Sequence, residues 1–160
     1  MVIYVDTAEQ LPFDFASVKK PIVPFRTEPL RLVTGDYGTT RGGTPWPGRT
    51  GDASIAATIE RKSLADLYKT VAHGRERFER ELSRMCSFGY RAVVVEAELS
   101  QVMNPNEFLD YPTDMNPKSL LASLIAWQQR FGVHLWFAPG REFAERLTHR
   151  LLERWIRDAN

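Results

Sequence analysis

The sequence predicts an α/β fold, a central mixed β-sheet flanked by α-helices. Three observations predict it. β-branched runs stand at the start of the chain (Val2–Val5) and again at Ala92–Ala97, where AVVVEA follows a helical stretch. Apolar residues recur with helical period from Leu64 onward. The order is strands first, then helix and strand in alternation, which is the pattern of a sheet covered by helices.

Val2–Val5 is short, β-branched and aromatic, and so reads as a buried strand. Pro21–Arg26 is a weaker strand candidate, and Leu30–Thr34 a third that ends in Gly35-Asp36-Tyr37-Gly38. Residues 38–53 (GTTRGGTPWPGRTGDA) are rich in glycine, proline and threonine and lack periodicity, which predicts a flexible loop. Trp46 within it can either stack on a nucleic-acid base or fold back on its own loop. Ser54–Ile59 forms the next strand and runs into Glu60-Arg61-Lys62. Ser63 with Asp66 three residues on resembles a capping box, and Leu64, Leu67, Tyr68 and Val71 mark one face of the helix it opens. Gly74 interrupts, and a second helix follows over 75–87 with Phe78, Leu82 and Met85 inward. Residues 99–116 are irregular. Asn116-Pro117 then caps a long helix closed by Gly132, Val133–Phe137 is a strand, and Pro139-Gly140 opens a last helix to about residue 158.

The chain has 160 residues, enough for one domain with one core, and no internal repeat or second domain is visible. Its formal charge of +1 excludes a uniformly basic surface, so a nucleic-acid face has to be local. Cys86 is the single cysteine, which excludes an internal disulfide and a cysteine-based zinc site and suits a reducing cytoplasm. His73, His134 and His149 lack metal-ligand spacing. The N-terminus has no signal-peptide pattern, and no apolar run approaches the roughly 20 residues that span a bilayer, so no membrane association is expected.

Two strands end in polar residues that a plain core would not choose, one in Gly35-Asp36 and the other in Glu60-Arg61-Lys62. Glu60 and Lys62 are two apart on a strand, so their side chains share a face, and an adjacent strand can bring Asp36 to it. Hard divalent cations favour carboxylate oxygens, which makes Mg²⁺ or Mn²⁺ between Asp36 and Glu60 the expected cofactor. Lys62 can orient the attacking water or stabilise charge developing on a phosphate. The spacing alone is a weak signal, because Glu-x-Lys is also a common solvated pair.

The longer string Gly35-Asp36-Tyr37 followed by Glu60-Arg61-Lys62-Ser63-Leu64-Ala65-Asp66 resembles the G-D-x(n)-E-R-K-x(3)-D signature of the XPF family of structure-specific endonucleases. Val5-Asp6-Thr7-Ala8-Glu9, His73-Gly74-Arg75 and Val93-Val94-Val95-Glu96 are similar to further segments of that family. The resemblance covers residues 2–97 well and the remainder in outline. It implies a restriction-endonuclease-like fold and a single nuclease domain over 1–160. The implied activity is a metal-dependent DNA endonuclease acting at branched or single-strand/duplex junctions. It casts Asp36 and Glu60 as metal ligands and Lys62 as the catalytic lysine. Arg61 would contact substrate phosphate or hold the acidic cluster, Asp66 is the last motif acid or a helix cap, and Asp6 and Glu9 lie at the edge of the site. Three departures stand out. Ala8 replaces a usual arginine, the stretch between Asp36 and Glu60 is long, and the paired helix-hairpin-helix module that usually follows is not found. A protein partner supplying specificity for DNA structure would fill that last gap.

Residues 61–91 carry eight basic residues against four acids. Arg77, Arg80 and Arg84 share one helix face that either tracks DNA phosphates or forms an ordinary solvated surface, and Arg75 matches the family's pattern for substrate contact. The last helix repeats Phe143, Leu147, Leu151 and Trp155 at spacings of four, a stripe that can serve the core alone or also a homodimer. The alternative to an active nuclease is an inactive scaffold of the same fold that binds DNA or a protein.

Overall fold

A computed structural model describes residues 1–158. Six strands form one mixed sheet: β1 (Val2–Asp6), β2 (Arg26–Leu30), β3 (Tyr37–Thr40), β4 (Ala56–Lys62), β5 (Tyr90–Val95) and β6 (His134–Phe137), in the order β2-β1-β3-β4-β5-β6. β3 runs antiparallel to both neighbours, whereas the pairs β1–β2, β4–β5 and β5–β6 are parallel. The helices are α1 (Leu64–His73), α2 (Arg75–Met85), α3 (Leu99–Met103), α4 (Pro117–Phe131) and α5 (Arg141–Arg157). The expected α/β fold of a mixed sheet flanked by helices is therefore present. Among the described residues no helix is long and apolar enough to cross a membrane.

Strand alternation divides the core into two layers. Val93 and Val95 of β5 pack with Leu67, Tyr68, Leu82, Leu124 and Trp127 beneath α1, α2 and α4. Ala92 and Val94 point the other way, to Ile3, Phe15, Tyr37, Ile59 and Leu152 beneath α5. Helix ends follow the capping residues: the Ser63 hydroxyl accepts from the Asp66 N–H, the Asn116 side chain accepts from the Lys118 N–H, and Gly132 closes α4 in the left-handed region at φ 58°.

Two strand expectations need correction. The second strand is Arg26–Leu30, not Pro21–Arg26. It is a polar edge strand whose pairing with β1, more than side-chain propensity, defines it; Pro29 is tolerated at an edge. Leu30–Thr34 is not a strand. Leu32 is buried there, but its backbone N–H donates to the Asp6 carboxylate instead of a ladder. The third strand starts at Tyr37, so Gly38–Thr40, read as loop, belong to the sheet. The loop that follows is pinned. Trp46 lies edge-on to Tyr4 at 5.6 Å and tilted against Phe88 at 5.4 Å, covering Gly38, where a Cβ would come within 2.3 Å of the indole. Arg41 stacks 3.4 Å over the Trp155 ring and donates to its carbonyl. Residues 99–116, read as irregular, contain α3 in a capping box built by Glu98 and Gln101.

α5 does more than cover the sheet. Its Ala144 and Leu152 are buried, and Leu147, Leu151 and Trp155 pack against the same core, which leaves Phe143, 44% exposed, as the open member of the apolar stripe. Two buried acids of α5 hold the extended segment 7–25. The Glu145 carboxylate accepts from the N–H groups of Phe15 and Ser17, each at 2.9 Å, and from the Ser17 hydroxyl. Glu153 accepts from the N–H groups of Ile22 and Val23 at 2.6 and 2.9 Å. Glu145→Ala is expected to destabilise the protein by about 3 kcal/mol, because it leaves buried donors without an acceptor. A thermal melt showing a loss of under about 1 kcal/mol would contradict this role.

Candidate active site

The pairing of β3 with β4 builds the site. Tyr37 lies opposite Ile59, and both face α5. One residue further along each strand, Asp36 and Glu60 therefore face the other side, toward α1 and α2. Lys62, two residues past Glu60, shares that face. Gly35 makes the approach possible. Its φ is +74°, and a Cβ there would sit 2.2 Å from the Thr58 hydroxyl and 3.1 Å from the Ile59 carbonyl. Asp36 is fixed by its own N–H donating to Ile59 at 2.9 Å and by its carboxylate accepting from the Arg61 N–H at 2.7 Å.

Asp36, Glu60 and Lys62 line one open cleft of about 760 Å³, together with Glu9, Arg61, Asp66, Lys69, His73 and Arg77. The Lys62 ammonium donates to the Glu60 carboxylate at 2.5 Å and stands 4.8 Å over the Phe78 ring. Burial and the Glu60 charge push the Asp36 carboxyl up to about 9, against the Arg61 N–H, which lowers it. Burial likewise drives Glu60 up to about 7, opposed by Lys62 and reinforced by Glu81. Burial alone would lower Lys62, but Glu60, Glu81 and Asp36 together hold it above the usual lysine range, so it keeps its charge.

Glu81 of α2 is the acid that the sequence reading missed; its carboxylate faces Glu60 closely enough to push that carboxyl up. The signal was available. Glu81 falls between Phe78 and Leu82 on the inward face of α2, where an acid needs a partner. Three acids thus face one ammonium, and ionising Asp36 and Glu60 together would leave an excess of negative charge that a divalent cation would balance. Among the described residues, no three Asp, Glu, His or Cys side chains gather around a point as metal ligands. Asp36 and Glu60 are the cleft carboxylates that would hold a Mg²⁺ or Mn²⁺ ion, hard cations that take oxygen ligands and keep several waters.

Arg61 occupies the opposite face of β4. Its guanidinium bridges Glu9 at 3.2 Å and Glu96 at 2.9 Å, and Arg141 meets the same Glu96 at 3.3 Å. Of the two roles open to Arg61, the geometry favours holding acids over touching phosphate. Asp66 lies in the cleft and also bonds Ser63 at 2.7 Å. Asp6 is turned away: it pairs with Arg31 at 3.1 Å, at the end of β1. Arg75 docks on α4, donating to Ser123 at 2.6 Å, with its guanidinium 5.5 Å from the Trp127 ring. Arg77 opens onto the cleft, Arg80 is exposed beside Glu76 at 3.9 Å, and Arg84 lines a second cavity of about 830 Å³ with Arg49.

The family model described as the ERCC4 domain matches residues 5–151. No curated protein matches the sequence. Among solved structures, XPF from Aeropyrum pernix is similar at 20% identity with a TM-score of 0.63, covering 99% of this chain and 65% of its own. XPF from Aeropyrum pernix in complex with DNA is similar at 20% identity with a TM-score of 0.60, covering 99% of this chain and 64% of its own. The chain thus spans a little under two thirds of these relatives, and at that identity the likeness is one of fold, the restriction-endonuclease-like architecture expected from the sequence. The matched family model spans nearly the whole chain and includes every cleft residue named above, and on that ground the chain belongs to the ERCC4 domain family.

Proposed function

We propose that the protein is a divalent-metal-dependent endonuclease that hydrolyses DNA phosphodiester bonds, with residues 1–160 acting as its nuclease domain. The observation that carries this reading is the convergence of Asp36, Glu60 and Lys62 on one face of the sheet in one cleft. A Mg²⁺ or Mn²⁺ ion held by the two carboxylates would supply a more acidic water and neutralise phosphate charge. Asp36 and Glu60 position that charge, and burial makes each carboxyl costly to ionise without it. Lys62 remains an ammonium, so it serves as an electrostatic stabiliser of the developing phosphorane-like charge rather than as a base. Arg61, locked by Glu9 and Glu96, positions the strand end that carries both of its neighbours. A homodimer through the C-terminal helix belongs to the same proposal, with Phe143 as its exposed apolar anchor.

The test is nicking of supercoiled plasmid by the purified protein. Cleavage is expected with Mn²⁺ or Mg²⁺ and not with chelator. Calorimetry that finds no Mn²⁺ binding in the wild-type protein would sink the proposal. DNA is expected to lie along the exposed face of α2. Arg77→Ala and Arg84→Ala should each flatten the dependence of log affinity on log salt by about one unit. Arg75→Ala should instead lower the melting temperature, since that side chain holds α4. Fluorescence anisotropy across a salt series separates the two behaviours.

A further inference from the structure

On the α5 side of the sheet, away from the catalytic cleft, a small cavity of about 250 Å³ lies between α5 and the extended segment 7–25. Ser17, Lys19 and Lys20 line it from the segment, and Arg146, His149 and Arg150 from the helix. Four cations thus face one space, and no acid lines it. Carboxylates outside the cavity answer two of the four: Glu142 meets Arg146 at 3.1 Å, and Glu153 meets Arg150 at 2.8 Å. Glu153 is also engaged by the N–H groups of Ile22 and Val23, and Glu145 by those of Phe15 and Ser17. Among the described residues, neither Lys19 nor Lys20 forms an ion pair; the Lys19 ammonium donates to the Ala16 carbonyl at 2.8 Å.

His149 points to what the cavity takes. The residue is 0% exposed, its ring lies 4.5 Å from that of Phe25 and 6.5 Å from that of Phe15, and neither ring nitrogen meets a protein partner. An imidazole carries at least one N–H in either protonation state, and a buried donor without an acceptor is costly. The cavity therefore joins a buried donor to a ring of cations, which is the chemistry of an oxyanion site. A carboxylate brings one charge and two oxygens. A terminal phosphate brings close to two charges and three free oxygens, enough to meet the imidazole and the cations together. We infer that this cavity binds a terminal phosphate, either inorganic phosphate or the end group of a small phosphomonoester. Bound there, the phosphate ties residues 17–20 to α5 alongside the grip of Glu145 and Glu153. The same segment begins with Glu9 and Leu11, which wall the cleft, so the phosphate steadies that wall from the other side of the sheet. The inference does not depend on the endonuclease reading.

The experiment titrates the full chain, with chelator present and ionic strength held constant with chloride, against inorganic phosphate and separately against thymidine 5′-monophosphate. Calorimetry reads affinity, and ¹⁵N spectra of the histidine rings read the site, since the chain has only His73, His134 and His149. At least one of the two ligands is expected to bind saturably with a dissociation constant of about a millimolar or below, and to move the His149 ring signals while leaving those of His134 in place. Binding by phosphate alone assigns the site to the free ion, and binding by the nucleotide at equal or higher affinity assigns it to a monoester; both support the inference. Replacing the two exposed lysines together, Lys19→Ala with Lys20→Ala, should weaken binding about tenfold. His149→Phe, which keeps an aromatic ring beside Phe25, should weaken it to a similar degree; should that variant fail to fold, the lysine pair still decides. No saturable binding of either ligand up to about 20 mM overturns the inference. So do His149 signals that stay unmoved at saturation, or an affinity that the lysine pair leaves unchanged.

Discussion

Lys62→Ala is expected to reduce metal-dependent nicking by about a hundredfold or more, with the fold intact. The ammonium sits 2.5 Å from Glu60 in a cleft where burial opposes its charge and three acids maintain it. A cation held against that opposition is pre-organised for charge that develops in the reaction, and alanine removes it entirely. The fold survives because Glu60 has an alternative: without Lys62, burial and Glu81 raise its carboxyl further, and it takes up a proton instead of forcing the chain open. Lys62→Arg should restore little, since a planar fork does not replace a compact ammonium packed on Phe78. Plasmid nicking, with circular dichroism to verify folding, decides the matter; activity within twofold of wild type would remove Lys62 from the machinery.

Asp36→Asn should abolish activity to a similar degree and yet stabilise the metal-free protein at pH 8. The Asp36 carboxyl is raised from 3.8 to about 9 by burial and by Glu60, so the native state holds its proton more tightly than the unfolded chain does. The stability linked to that proton is complete below about pH 4 and declines as the pH climbs toward 9. Asparagine has no proton to lose, and its amide oxygen still accepts from the Arg61 N–H. A gain of about 2 kcal/mol at pH 8, or roughly 5 °C in melting temperature, is expected, vanishing near pH 4. Mn²⁺ reverses the order: it should raise the wild-type melting temperature and leave the variant nearly unmoved. Because Asp36 and Glu60 must shed protons to hold a cation, metal affinity should also climb between pH 7 and 9. A variant that melts below wild type at pH 8 without metal would refute this account.

The sequence made most of the fold readable wherever local chemistry decides structure. Ser63, Asn116 and Gly132 mark helix ends that stand where the sequence puts them, and the β-branched run of β5 lies buried as its composition demands. It was opaque where long-range pairing decides. Arg26–Leu30 becomes a strand because β1 offers it an edge, and Leu30–Thr34 does not because Asp6 captures the Leu32 N–H. In the site, the two-residue alternation of β4 placed Glu60 with Lys62, and the register with β3 placed Asp36 beside them. Helical spacing turns Glu81 inward between Phe78 and Leu82, but it does not name Glu60 as the acid it faces, and no spacing rule reveals that Arg75 is spent on α4.

The grip of α5 on the early part of the chain also governs when the protein can work. Arg141 holds the carbonyls of Leu11 and Pro12 at 2.7 and 2.9 Å, and Glu145 and Glu153 hold residues 15–23, partners some 130 positions apart in sequence. On the ribosome, Glu9 can meet Arg61 once β4 is made, but Leu11, which also walls the cleft, lacks its anchor until that last helix emerges, a delay on the order of ten seconds. The acids and the lysine are translated long before the cleft around them is finished. A half-made chain therefore carries Asp36, Glu60 and Lys62, the residues of the proposed endonuclease site, before one wall of their cleft is anchored.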